Sequence, residues 1–150
     1  MRTILHILFI IGAMVFISCG SDDGSPTPGT PQAKQEEVTQ LLTGTSAAKT
    51  WKIQTLTVDG VDETSTVKGM TIKFTNTTFT VTNGGPVWPS NGSWTFSSTE
   101  ASSIKLDNGT EVKVEVTETS LKLSLTWNKN TFGPGRIESI SGQQVFVFVV

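Results

Sequence analysis

The stretch MTIKFTNTTFTVT, residues 70 to 82, alternates apolar and polar side chains on both sides of Asn76-Thr77. Met70, Ile72 and Phe74 are interleaved with Thr71, Lys73 and Thr75, and Phe79 and Val81 with Thr78, Thr80 and Thr82. A period of two is the side-chain period of a strand, so two such runs around a short polar break predict a β-hairpin. With Asn76-Thr77 as a two-residue loop, Phe74 faces Phe79 and Ile72 faces Val81. One face is then wholly apolar and the other is threonine and lysine, and register and pattern agree.

The same test extends along the chain. Across Glu118-Thr119 it pairs Val116 with Leu121, Val114 with Leu123 and Val112 with Leu125, and on the outer face it sets Glu115 beside Lys122, an opposite-charge pair. Asp107-Asn108-Gly109 reads as a three-residue turn with a bulge that keeps Ile104 opposite Val112, Gly109 supplying the positive φ. Eight strands are expected, near 51 to 58, 69 to 75, 78 to 83, 92 to 97, 103 to 106, 110 to 117, 120 to 127 and 143 to 149. The predicted fold class is all-β: a small eight-stranded up-and-down barrel, with a β-sandwich as the alternative, since closure removes exposed edges. The expected interior comprises Trp51, Ile53, Met70, Ile72, Phe74, Phe79, Val81, Trp94, Phe96, Ile104, Leu106, Val112, Val114, Val116, Leu121, Leu123, Leu125, Trp127, Phe146 and Phe148.

Ahead of the strands, AKQEEVTQLLTG, residues 33 to 44, places Val38, Leu41 and Leu42 at helical spacing with Gly44 as a stop. It predicts one short helix with a narrow apolar stripe, able to lie on a larger body. The preceding GSDDGSPTPGTPQ, residues 20 to 32, carries Pro26, Pro28 and Pro31 among Gly, Ser and Thr, and reads as an extended tether. The chain has 150 residues with a formal net charge of −2, which suits one domain over residues 33 to 150 and offers no basic field for nucleic acid.

The N-terminus begins Met1-Arg2-Thr3 and continues in a largely apolar run to Ile17, too short for a transmembrane helix but suited to a secretory signal over residues 1 to 18. Phe16-Ile17-Ser18-Cys19 resembles the lipobox of bacterial lipoproteins. The resemblance implies that Cys19 becomes the first mature residue and takes lipid, several acyl chains anchoring the protein where one holds only marginally. The single cysteine has no partner in the chain for a disulfide. Gly20 in place of the aspartate that favours inner-membrane retention implies an outer-membrane lipoprotein. Ser21-Asp22-Asp23 resembles a surface-export signal, the alternative being a periplasm-facing orientation. Cutting before Cys19 also discards His6, the only histidine, which leaves a mature chain poor in general bases, thiolate nucleophiles and metal ligands.

Leu41-Leu42-Thr43-Gly44, then Lys49-Thr50-Trp51-Lys52-Ile53, the meander and the closing QQVFVFVV resemble the short lipocalin-like domains of bacterial lipoproteins. The resemblance implies that Trp51 closes one end of the barrel beneath the helix, and that the architecture suits a small molecule. The loop Gly84-Gly85-Pro86-Val87-Trp88-Pro89-Ser90-Asn91-Gly92 is longer than a hairpin needs and stiffens Trp88 between two prolines. Trp88 and Val87 are therefore candidate contacts for a small apolar or glycan ligand, with Trp88 folded inward as a plug as the other reading. The strand connection 128 to 136 falls at the same end and offers Phe132 and Arg136 as a second lip. No cofactor or metal is expected, and the carboxylates lie in tether, helix, turns or outward positions, so no acid–base pair points to an enzyme. The alternative function is a solid barrel that engages another envelope protein.

Overall fold

The computed structural model describes residues 27–46, 48–128 and 141–150. Among them are one helix, α1 (Pro31–Thr43), and nine strands: β1 (Lys49–Val58), β2 (Val61–Asp62), β3 (Thr71–Phe74), β4 (Thr78–Thr82), β5 (Asn91–Phe96), β6 (Ser103–Leu106), β7 (Glu111–Val116), β8 (Ser120–Trp127) and β9 (Gly142–Val149). From β3 to β9 each strand pairs antiparallel with the next, β1 pairs with β3, and β1–β9 pairing closes the ring. The result is the predicted eight-stranded antiparallel barrel, with β2 as one short extra strand outside it.

The register follows the hydrophobic pattern. Phe74 pairs with Phe79 and Ile72 with Val81, Ile104 with Val112, and Val116 with Leu121 and Val114 with Leu123. On the outer wall Glu115 pairs with Lys122, whose Nζ lies 3.0 Å from the Glu115 carboxylate. Both side chains are largely exposed, so the pair adds at most about 1 kcal/mol. Gly109 takes φ 85° in the turn before β7, where its N–H donates to Leu106 O. Every residue of the expected interior is buried except Ile53, Phe96 and Val116, which are half-buried against the core.

Two features depart from the alternation. The β1–β9 register shifts between Ile53 and Thr55, so the parity of β1 flips at a bulge and Leu56 and Val58 turn inward. β2 was not among the expected strands: it pairs with Thr57 and Val58, above the segment where β1 meets β3. A short 3₁₀ helix, Thr64–Val67, follows and drops Val67 into the core.

Helix α1 begins at Pro31, ahead of Ala33, because Thr30 caps it by accepting from the Ala33 N–H at 3.3 Å, and proline suits the first helical position. It ends at Gly44, φ 67°, whose N–H donates to Gln40 O at 2.8 Å. Leu42 is fully buried, which contributes about 2 kcal/mol. Lys34 pairs with Glu100 and Gln35 reaches Ser98 O near the other end of the helix, which therefore lies across one end of the barrel. Every element, cap and core contact described lies within residues 27–150.

Candidate functional site

The two ends of the barrel are built differently. At the helix end, Trp51 is fully buried and its Nε1–H donates to Leu42 O at 3.0 Å, with the Lys49 ammonium 4.0 Å over its ring. The short turns at 75–78 and 117–120 lie at this end, each held by a threonine that accepts from the backbone. Trp94 sits near them and donates its Nε1–H to Thr75 O at 3.1 Å.

The far end receives the β1–β2 turn, the 83–90 loop between β4 and β5, the 107–110 turn and the chain leaving β8. The 83–90 loop folds inward. Trp88 is 4 % exposed and Val87 6 %, so both lie inside the barrel and neither stands on its rim. The Trp88 ring meets Phe79 edge-on at 6.0 Å and Phe146 at 5.9 Å, bridging β4 and β9, which are not neighbours in the ring. It completes an aromatic chain running from Phe96 through Trp94, Phe74 and Phe79 to Phe146 and Phe148.

The inward turn of Trp88 has a local cause. Asn83 and Gly85 take φ 56° and 61°, reversing the chain, and Gly84 lets it close up. A Cβ at Gly84 would stand 2.7 Å from Val81 Cγ1 and 2.8 Å from Trp88 Cβ. Among the described residues the buried Trp88 Nε1–H has no hydrogen-bond partner. Leaving such a donor unpaired costs about 1–3 kcal/mol, offset here by burial of the ring.

Gln144 was absent from the candidates, yet it is 0 % exposed and paired in register with Val58 and Leu125 at this same end. Strand parity already pointed to it, since Gln144 stands two residues before the inward Phe146. Among the described residues, Thr43 and Gln144 are the only buried polar side chains, so the described interior at the loop end is apolar apart from the Gln144 amide and the indole N–H groups of Trp88 and Trp127. Phe132, Arg136 and Cys19 lie outside the described residues.

Elsewhere, one groove runs beside the helix C-terminus past Glu36, Lys49 and Glu118, and another crosses the outer wall at Glu111, Lys113 and Ser124. Among the described residues no group of three or more His, Cys, Asp or Glu side chains is placed to hold a metal ion. No family model, curated protein or solved structure matches the chain.

Proposed function

We propose that the protein is a lipid-anchored lipoprotein of the bacterial outer membrane whose lipocalin-like barrel takes up a small apolar ligand at its loop end. The observation that carries this reading is the asymmetry of the barrel. One end is tied shut by Trp51 and α1, while at the other the core is completed by a side chain borrowed from a loop, Trp88, whose N–H has no partner among the described residues. A purely structural barrel gains nothing from a buried unpaired donor, whereas a site that exchanges contents tolerates it. The apolar lining favours an apolar ligand over a glycan, whose hydroxyls need several buried partners.

The lipid anchor at Cys19 accounts for the polar tether ahead of α1. Gly20 favours the outer membrane, and Ser21-Asp22-Asp23 favours display on the cell surface over a periplasmic orientation. Replacing Cys19 with Ala is expected to abolish acyl labelling and release the domain from membranes. Membrane retention without acyl labelling contradicts the anchor.

Burial of Trp88 between Phe79 and Phe146 also favours a second reading, a filled barrel that serves as an interaction module in the envelope. Titrating residues 27–150 with a lipid and glycan panel, followed by tryptophan emission, separates the two. A saturable response to apolar compounds supports uptake. No response, with one stoichiometric partner recovered by cross-linking in cells, supports the interaction module.

A further inference from the structure

Building on the ligand-uptake reading, we propose that Trp88 is a displaceable plug: an uncharged, flat aromatic ligand takes the slot of its indole between Phe79 and Phe146 while the 83–90 loop swings outward. The slot has defined walls. Phe79 and Phe146 stand 6.0 and 5.9 Å from the Trp88 ring at 82° and 83°, so the slot is walled by two rings nearly perpendicular to the indole and suits a flat ring in its place.

The plug differs from the other core tryptophans with described geometry in both origin and bonding. Trp51 and Trp94 project from strands and donate to Leu42 O and Thr75 O, whereas Trp88 projects from a loop and has no acceptor among the described residues. Moving outward returns its N–H to water, and the apolar cost of the vacated slot is met by the incoming ligand.

The loop is attached lightly. Its backbone is held by Val81 N–H to Ser90 O at 2.8 Å and by a longer bond of 3.3 Å from Trp88 N–H to Gly84 O. The left-handed Asn83 and Gly85 lie at its start, where a change of φ and ψ moves the rest. Pro86 and Pro89 stiffen the segment between them, so Val87 and Trp88 leave together. No buried cation lies among the described residues to hold a carboxylate inside, which favours an uncharged ligand.

The test uses residues 27–150 labelled with 5-fluorotryptophan, the Trp88 resonance being assigned from Trp88→Phe, and N-phenyl-1-naphthylamine as the probe. Probe binding is expected to move the Trp88 fluorine signal to a solvent-exposed position at saturation, and Trp88→Ala is expected to bind the probe at least tenfold more tightly. Saturable binding with the Trp88 signal unmoved overturns the plug but leaves ligand uptake standing. Binding by Trp88→Ala alone shows a plug that never leaves and also overturns the proposal. Absence of binding by both proteins overturns it together with the uptake reading. If Trp88→Ala does not fold, the fluorine measurement on the unsubstituted protein decides alone.

Discussion

At the scale of single residues, the indole N–H groups set the energetics apart. Trp51→Phe removes the bond to Leu42 O that ties α1 to the barrel, and is expected to cost about 1–2 kcal/mol in denaturant unfolding. Trp88→Phe keeps a ring in the slot and deletes a donor that has no partner among the described residues, so it is expected to be neutral or stabilising within about 1 kcal/mol. A loss of several kcal/mol there would mean the N–H is satisfied. Gly142 is the other sensitive position: at φ 139°, a Cβ would sit 2.3 Å from Asp59 Oδ2. Asp59 cannot simply turn away, because its Oδ1 accepts from the Gln143 N–H at 2.8 Å. Gly142→Ala is expected to lower stability by about 1–3 kcal/mol. None of these pairings is visible in the chain alone, because a hydrogen-bond partner distant in sequence leaves no local pattern.

At the scale of elements, the upper half of the seam between β1 and β3 is held by a strap rather than a ladder. β1 pairs with β3 only from Lys49 to Lys52. Higher up, the Leu56 N–H donates to the Thr64 hydroxyl at 3.0 Å and the Glu63 N–H to Leu56 O at 2.8 Å. Thr64→Val leaves the Leu56 N–H without its acceptor and is expected to cost about 1–2 kcal/mol, with faster amide exchange at Leu56 than along β8 and β9. The Thr64 hydroxyl in turn donates to Asp62 Oδ1 at 2.6 Å. That bond, with the Thr64 N–H as a second donor, holds the Asp62 carboxyl below its ordinary 3.8.

A carboxylate with a depressed folded pKa adds stability that is complete above the ordinary value and is lost as pH falls through the depressed one. Protection at Leu56 is therefore expected to hold from neutral pH to about pH 4 and to fall below it. Protection already falling near pH 6 would contradict this assignment. The strap escaped the sequence because β2 spans only Val61–Asp62, too short for alternation to register. The bulge in β1 left a trace: apolar residues pass from odd positions, Trp51 and Ile53, to even ones, Leu56 and Val58.

At the scale of the whole molecule, the strands and their register were legible because pattern and turn chemistry agree, and the β1–β9 pairing decides for the closed barrel over the sandwich. The pairs Phe74–Phe79, Ile104–Val112 and Val114–Leu123 follow from parity and loop length alone. The loop end was harder to read. A tryptophan between two prolines is equally suited to a rim or a plug, and three-dimensional packing against Phe79 and Phe146 decides between them.

Uptake of an uncharged apolar ligand is the role proposed for this end of the barrel. Thermal unfolding of residues 27–150 against increasing N-phenyl-1-naphthylamine tests it most directly, since a ligand bound only by the folded state raises Tm with its concentration. The Tm is expected to climb and to continue rising above saturation; a Tm flat at every concentration contradicts uptake.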